Sequence, residues 1–353
     1  MNSPLDILVI GPHPRLFGPG NFRWLHDTAR ALRRLGHRVN IFPYRESWSM
    51  SPRLSQWTRW LPGVPQQITR YQAAQRRSRA QRLVRLTKRL RPDLVVWLNG
   101  ESDAAETFAA VKRSTPGRMV SWWEDDPECH RAFMAALPEF DHIFVFDRSY
   151  IPSLASGGAR AVHFLPCGCD ETTYHPYQLS RLDRRRFSCD VAFVGWYYPE
   201  RGPVLQALTS LDLGVWGGQW NSPQACRALG RRTVIRGGGI DGSTAAKIYS
   251  ACKIGLNVHA TQSRLGGLNM RAFELLACGA FQLVDYIEGM EDLLQPDQEV
   301  VCYRSPDEAR RLAGAYLADP QARQRIASRG RARVLDEHTF VHRLRTLCDL
   351  ARD

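Results

Sequence analysis

Short apolar runs alternate with amphipathic stretches along the first half of the chain. An apolar run at 6–11 ends in glycine, an amphipathic stretch at 22–35 ends at Gly36, and a second apolar run follows at 39–42. This order predicts a strand, a helix with a glycine C-cap and a second strand parallel to the first, because parallel neighbours need a crossover connection. The other predicted elements of this half are strands at 94–98, 119–123, 143–146 and 161–165 and a long helix at 66–90.

A polar, arginine-containing stretch at 175–187 interrupts this alternation, and the same pattern then restarts. The predicted elements of the second half are strands at 189–195, 213–216, 233–235, 254–258 and 281–284, helices at 244–252 and 269–278, and polar helices from 306 onward. Alternating strands and helices are typical of α/β folds with parallel sheets.

The pattern therefore predicts two doubly wound, Rossmann-like domains that face each other across a cleft. The first spans 1–174, a linker spans 175–187, and the second spans 188–335. The segment 336–353 is predicted to be a helix that can cross back to the first domain. In this architecture ligands bind at the carboxyl ends of strands and in the cleft.

The composition agrees with two soluble domains. At 353 residues the chain exceeds one ordinary domain, since domains average about 150 residues. Its 44% apolar and 24% charged residues exclude a disordered chain. No apolar run approaches the roughly 18 residues of a membrane-spanning helix, so we expect a cytoplasmic protein. The nine cysteines lack zinc-site spacing, which favours reduced thiols.

The positive charge is concentrated in one segment. The net charge is +13, and residues 47–92 contain no Asp or Glu but 11 Arg or Lys. Such a segment attracts an anionic partner, and three interpretations stay open: a solvated basic face, an anionic membrane surface, or a polyanionic acceptor. No helix-turn-helix, zinc or RNA-binding motif indicates sequence-specific contact with nucleic acid.

Asn269, Arg271 and Glu274 stand at the start of a predicted helix in the second half. A helix N-terminus has free N–H groups and a partial positive charge, so an added arginine makes a seat for a diphosphate. The glutamate one turn on can accept hydrogen bonds from a ribose. The preceding loop, 263–268, contains two glycines, which suits backbone N–H groups close to a phosphate. The alternative is an ordinary Arg–Glu pair on an exposed helix face.

A second candidate phosphate contact follows the first strand of the second domain. Gly195 ends that strand, and Arg201 comes six residues later. A small residue and an arginine at a strand's carboxyl end are suited to phosphate binding. The alternative for Arg201 is a solvated arginine at a helix start.

Three residues of the first half are candidates for acid–base catalysis. Asp125 and Asp126 follow the predicted strand 119–123, and His13 lies in the first glycine- and proline-rich loop. Each can remove a proton from an acceptor hydroxyl. Asp126 precedes Pro127, so a helix N-cap is an equal alternative for it. No metal site is predicted.

Several segments resemble one known family. FVGWYYPER, KIGLNVH and NMRAFELLACGA in the second half, with SWWEDDPE and HFLPCGCDETTYHP in the first, are similar to the CgeB-like glycosyltransferases of the spore-maturation-protein type. The resemblance implies a GT-B fold with the donor in the second domain, Glu274 at its ribose, and Arg271 and Arg201 at its diphosphate. Many retaining members of this fold carry a second glutamate where this chain has Gly266.

These observations together predict a metal-independent GT-B glycosyltransferase without a cofactor. Its donor would be a nucleotide-diphosphate sugar, and its acceptor a glycan, a lipid-linked molecule or a protein. Two alternatives are a nucleotide-sugar epimerase of the same fold and a non-catalytic protein that binds polyanions or a membrane surface. A peripheral position on the inner face of the membrane is part of the expectation.

Overall fold

Two sheets of parallel strands form the framework of the protein. The computed structural model describes residues 3–12, 24–44, 64–99, 104–230 and 234–352, without the side chains of 64–69 and 72. Within these residues each sheet has six strands, and neighbouring strands pair in parallel. The prediction of two doubly wound α/β domains is therefore confirmed.

The elements of the first domain follow the predicted alternation. Its strands are β1 (Asp6–Pro12), β2 (Arg38–Tyr44), β3 (Leu94–Leu98), β4 (Arg118–Trp123), β5 (His142–Val145) and β6 (Val162–Phe164). Its helices are α1 (Trp24–Arg34), α2 (Val64–Leu90), α3 (Ala105–Lys112), α4 (Arg131–Met134) and α5 (Ile151–Ser156), with 3₁₀ turns at Pro127–Cys129, Leu137–Glu139 and Arg148–Tyr150.

The second domain repeats this alternation and ends in three helices. Its strands are β7 (Cys189–Val194), β8 (Leu213–Trp216), β9 (Ile235–Gly237), β10 (Cys252–Asn257), β11 (Gln282–Asp285) and β12 (Val301–Tyr303). The helices are α6 (Arg181–Phe187), α7 (Arg201–Ala207), α8 (Pro223–Leu229), α9 (Gly242–Ala251), α10 (Met270–Ala277), α11 (Pro306–Ala318), α12 (Pro320–Glu337) and α13 (Phe340–Leu350), with a 3₁₀ turn at Met290–Asp292.

The strand orders locate the binding crevices. The first sheet runs β2-β1-β3-β4-β5-β6 and the second runs β12-β11-β10-β7-β8-β9. The chain changes its direction of winding between β1 and β3 in the first sheet and between β7 and β10 in the second. Ligands of doubly wound folds bind outside the carboxyl ends of the strands at this switch point. The crevice of the second domain therefore lies next to the residues that follow β7 and β10.

The strands are apolar because helices cover both faces of each sheet. Every residue of β3 is buried, and β1 is buried from Ile7 to Gly11. A continuous apolar strand of this kind is typical of parallel sheets, in which both faces pack against helices. This packing fixes the strands whose carboxyl ends form the crevices.

The polar stretch that was predicted as a linker contains a helix, α6. Ser180 and Asp183 form a capping box: the Ser180 hydroxyl accepts the Asp183 N–H at 3.0 Å, and the Asp183 carboxylate accepts the Ser180 N–H at 3.2 Å. This reciprocal pair satisfies two donors at the helix start and stabilises a helix that has few apolar residues. The arginines that indicated a linker are therefore carried by a surface helix.

The chain passes between the domains along two adjacent segments. Cys169 donates its N–H to the His338 carbonyl at 3.3 Å, and its own carbonyl accepts the Phe340 N–H at 2.9 Å. After this crossing, α13 packs in an apolar cluster of the first domain, where Leu344 and Leu347 join Leu25 of α1. The last helix of the chain thus contacts the first domain.

Candidate active site

The switch point of the second sheet brings two of the predicted donor-binding residues, Asn269 and Arg271, together with Asn257. Asn257 ends β10 and is fully buried. Its side-chain amide exchanges two hydrogen bonds with that of Asn269, with N–O distances of 3.0 and 3.1 Å. Arg271 donates from Nη1 to the Asn257 Oδ1 at 2.9 Å. The end of β10 and the start of α10 are therefore joined by side chains.

Asn269 also acts as the N-cap of α10. Its Oδ1 accepts the Ala272 N–H at 3.2 Å, and its backbone is extended, as an N-cap requires. The same oxygen accepts a hydrogen bond from Asn257. The Asn269 side chain therefore caps α10 and also bonds to the last residue of β10. This arrangement holds Arg271 within the first turn of α10.

Gly195 makes room for the Arg271 guanidinium. A Cβ at position 195 would overlap that guanidinium, which stacks over the Phe193 ring at 5.0 Å. The Gly195 N–H donates to the Trp216 carbonyl at 2.8 Å, and its carbonyl accepts from Trp220 Nε1 at 2.7 Å. The lack of a side chain at Gly195 therefore leaves the space that the Arg271 guanidinium occupies.

Arg201 is a buried cation beside Arg271. It is only 5% exposed, and it donates to the Val258 carbonyl at 3.1 Å and the Trp196 carbonyl at 2.7 Å. Burial, with the nearby charge of Arg271, lowers the pKa of Arg201 to about 9. No carboxylate of the described residues lies within ion-pair distance of its guanidinium. Arg201 is therefore buried, and the alternative of a solvated arginine at a helix start does not describe it.

Glu274 lies one turn after Arg271 on α10 and is half-buried. Burial raises its pKa, whereas a hydrogen bond from Tyr174 and the charge of Arg271 act in the opposite direction. Tyr249 hydrogen-bonds with Arg271. Both charged residues of the pair are therefore enclosed by tyrosines, and the alternative of an exposed Arg–Glu pair does not describe them.

His259 and Asp285 form a buried pair at the next position along the same edge. His259 follows β10 and is 3% exposed; its Nδ1 lies 2.8 Å from the Asp285 Oδ1, and its N–H donates to that carboxylate at 3.0 Å. Burial would raise the pKa of Asp285, but the charge and hydrogen bonds of His259 hold it below its usual value. The His259 Nε2 is buried and has no hydrogen-bond partner among the described residues.

Neither His259 nor Asp285 is among the site residues that the sequence predicted. A signal was available for both. His259 comes just after β10 and Asp285 ends β11, and these two strands are neighbours. The carboxyl ends of neighbouring parallel strands meet at one edge of a sheet, next to the crevice.

The catalytic candidates of the first domain occupy different environments. Asp125 follows β4, is half-buried, and has a pKa raised first by burial. Its Oδ1 accepts the Asp126 N–H at 3.0 Å. Asp126 accepts the Glu128 N–H at 2.8 Å and caps the 3₁₀ turn Pro127–Cys129, so the predicted alternative of a cap is present. His13 lies outside the described residues.

Asp125 lies within electrostatic reach of the second domain. The pKa of Tyr198 is raised first by burial and then by the charge of Asp125, while Arg201 acts against both. Tyr198 itself stacks with the Arg201 guanidinium at 4.6 Å. Asp125 and the arginine pair therefore approach the same aromatic side chain from opposite domains.

The glycine loop 263–268 contacts the first domain. Its backbone N–H groups at Arg264 and Leu265 donate to the Asp147 carboxylate. The sequence predicted that backbone N–H groups of this loop lie close to a phosphate, but these two donors are instead occupied by a carboxylate of the first domain. Among the described residues, no three His, Cys, Asp or Glu side chains come together as a metal site would need.

Part of the second half of the chain matches a known protein family in sequence. Residues 201–349 match the sequence model of a family described as glycosyl transferase-like, and this range includes Arg201, Arg271 and Glu274. No curated protein matches the chain in sequence.

Solved structures share the fold at low sequence identity. HepE of Anabaena, solved in complex with UDP-glucose, is 12% identical with a TM-score of 0.66, covering 98% of this chain and 99% of its own. Sucrose-phosphate synthase of Thermosynechococcus elongatus is 14% identical with a TM-score of 0.67, covering 98% of both chains. An α-glucosyltransferase in complex with UDP and a 13-mer DNA is 11% identical with a TM-score of 0.67, covering all of both chains. The predicted GT-B fold is therefore confirmed.

Proposed function

We propose that the protein is a glycosyltransferase that moves a sugar from a nucleotide-diphosphate donor to an acceptor bound at the first domain. One observation carries this proposal: Arg201 and Arg271 are held side by side at the switch point of the second sheet. Burying a cation without an ion pair is unfavourable. A bound diphosphate would compensate both charges, and this crevice is where doubly wound folds bind phosphates.

The same residues support the chemistry of transfer. Cleavage of the sugar–phosphate bond leaves negative charge on the diphosphate, and fixed arginines stabilise such charge as it develops. Glu274 has two acceptor oxygens for the ribose hydroxyls. Asp125 is the candidate base at the acceptor, since its raised pKa brings it closer to neutrality, where a general base works best. Transfer would proceed without a metal or a cofactor.

The comparisons support the donor class. HepE is solved with UDP-glucose, and the α-glucosyltransferase with UDP. Uridine diphosphate sugars are therefore the first donors to test. The narrower CgeB-like assignment is also part of the proposal, supported by the segments around Arg201 and Glu274.

A binding experiment with UDP and UDP-glucose tests the proposal. We expect calorimetry to detect binding by the wild type, and Arg271→Ala to weaken it by about tenfold to a hundredfold, since hydrogen bonds to charged groups contribute about 1.5–3 kcal/mol. Arg236→Ala is the matched control. Arg236 bonds to the Ser188 carbonyl and to Asp212, which precede β7 and β8, so these contacts lie at the amino ends of the strands and not at their carboxyl ends. Equal affinity of wild type and Arg271→Ala would contradict the proposal.

A peripheral position on the inner face of the membrane is a second part of the proposal, and α2 supports it. Seven of its exposed residues are cations, Arg70, Arg76, Arg77, Arg82, Arg85, Lys88 and Arg89, and the exposed Arg91 follows just after its end. Arg79 differs from them: it is buried and lies over the Tyr44 ring at 5.5 Å. None of the described helices has the length and apolar character needed to cross a bilayer. Basic surface residues are drawn to anionic lipids by about 1 kcal/mol each.

Vesicle binding tests the membrane part. Arg82, Arg85 and Arg89 recur at helical spacing on one face of α2, and changing all three to Gln should release the protein from phosphatidylglycerol vesicles. Arg310→Gln with Arg311→Gln is the matched control on the exposed face of α11. Unchanged vesicle binding, or a preference for an oligonucleotide over the vesicles, would contradict a membrane role.

A further inference from the structure

Asp147 joins the two domains through a single buried carboxylate. It lies just after β5 in the first domain and is fully buried. Its Oδ1 accepts the Ser149 N–H at 2.8 Å within its own domain. Its Oδ2 accepts two N–H groups of the second domain, from Arg264 at 2.5 Å and from Leu265 at 2.8 Å. In the described part of the chain no cation lies within ion-pair distance of this carboxylate.

The glycine pair of the loop fits this contact. A Cβ at Gly267 would overlap the Asp147 carboxylate, so a residue without a side chain is needed there. Gly266 has a φ of +71°, a left-handed conformation that favours glycine. The two glycines therefore let the loop backbone close around a carboxylate that belongs to the other domain.

Further contacts hold the same loop against the first domain. The Tyr150 hydroxyl donates to the Gln262 carbonyl at 2.9 Å, and the Arg148 N–H donates to the Leu265 carbonyl at 3.1 Å. The Arg264 guanidinium stacks over the Tyr150 ring at 5.1 Å and lies 3.5 Å from the Asp126 carboxylate. The loop is thus bound by the segment 147–150 and reaches the acidic end of β4.

The segments before and after this loop belong to the candidate donor site. On one side is Val258, whose carbonyl holds Arg201, preceded by Asn257, whose amide holds Arg271. On the other side is Asn269, which caps α10 and bonds to Asn257. A displacement of the loop would therefore move the groups that hold the two arginines.

We propose that Asp147 is a positioning residue that couples contact between the domains to the geometry of the donor site. The inference rests on the proposed function, since it concerns the same arginines. Asp147 acts through the glycine loop 263–268 and does not touch the donor. Because coupling between two binding events is reciprocal, the domain contact should strengthen donor binding, and the donor should strengthen the domain contact.

The test is Asp147→Asn, with UDP affinity measured by calorimetry and the radius of gyration by small-angle X-ray scattering. Asp147 accepts hydrogen bonds at both carboxylate oxygens, whereas Asn has only one acceptor oxygen. At least one of the contacts to Ser149, Arg264 and Leu265 is therefore lost. We expect a folded protein by circular dichroism, a larger radius of gyration without ligand, and UDP affinity weaker by about tenfold. Saturating UDP should return the radius to the wild-type value, a response that a purely structural role would not produce.

Gly267→Ala tests the same contact from the other domain and should reproduce both effects, even if Asp147→Asn fails to fold. Gly314→Ala on α11 is the matched control, because a Cβ there meets no atom within 4 Å. Wild-type radius and UDP affinity in Asp147→Asn and Gly267→Ala would overturn the inference. If the wild type binds no UDP or other nucleotide, the proposed function fails, and the radius without ligand still decides on the domain contact alone.

Discussion

Glu274 is the residue whose electrostatic environment most directly links the structure to nucleotide binding. Its carboxylate accepts from the Tyr174 hydroxyl and lies near Arg271, yet burial raises its pKa above the ordinary 4.5. Its charged form is the one that accepts two hydrogen bonds from a ribose. Binding should therefore depend on a deprotonation that occurs at higher pH than for an exposed glutamate.

We predict that UDP affinity falls on acidification at a pH above 4.5 and that Glu274→Gln removes this part of the pH dependence. The variant should also bind about tenfold more weakly at neutral pH, since a charged hydrogen bond contributes about 1.5–3 kcal/mol. Calorimetry from pH 4.5 to 8 measures both effects. Asp307→Asn, at an exposed carboxylate of α11, should leave the profile unchanged. A variant with the wild-type profile would exclude Glu274 from nucleotide binding.

At the scale of elements, the start of α10 is where a helix cap and a ligand site coincide. Asn269→Ala removes the cap of the Ala272 N–H and the two bonds to Asn257. We predict a loss of stability of about 1–3 kcal/mol, because a cap contributes about 1 kcal/mol and the buried Asn257 Nδ2 loses its acceptor. UDP affinity should fall as well, since Asn257 also holds Arg271.

Ser222→Ala provides the matched control for this cap. Ser222 is the N-cap of α8 in the same domain, and its hydroxyl accepts the Ala225 N–H at 3.2 Å. It should lose about 1 kcal/mol of stability without a change in UDP affinity. Urea unfolding and calorimetry measure the two quantities. If both variants lose only stability, then the Asn257–Asn269 pair does not position Arg271.

Much of this element-level structure could be predicted from the sequence, because it depends on local patterns. The apolar runs located eleven of the described strands to within two residues but missed β12, and the position of Asn269 before an apolar stretch located the start of α10. Glu274 and Arg271 could be paired because they are one helical turn apart. Tyr174 and Asp147 could not be joined to this site, since each meets it only through contacts between segments far apart in the chain.

At the scale of the whole molecule, the two domains meet at the segments where the chain crosses between them. Cys167 and Cys169 lie beside Glu337 and Thr339 there, and the buried Arg343 donates to the Cys167 carbonyl at 3.0 Å and the Glu337 carbonyl at 3.0 Å. One apolar cluster also extends from Trp123 of the first domain to Phe273 of the second. The crossing therefore combines buried polar contacts with apolar packing.

His338 makes the stability of this crossing depend on pH. It is 3% exposed; its Nε2–H donates to the Leu293 carbonyl at 2.8 Å, and its Nδ1 accepts from Arg343 at 2.6 Å. Burial, with the nearby charge of Arg343, lowers its pKa from 6.5 to about 3. Below pH 6.5 the unfolded chain binds a proton that the folded chain does not. The folded state therefore loses stability as the pH falls toward 3, by up to about 1.4 kcal/mol per pH unit from this one group.

We predict that His338→Gln loses less stability than the wild type between pH 7.5 and pH 5. Glutamine can keep both contacts, because its amide donates to the Leu293 carbonyl and its oxygen accepts from Arg343. It has no proton to gain, so the contribution of the histidine to the pH dependence disappears. The urea midpoint of unfolding at the two pH values measures the difference. Parallel losses in wild type and variant would show that His338 is protonated in the folded protein as readily as in the unfolded chain, and the crossing would then not be a source of acid sensitivity.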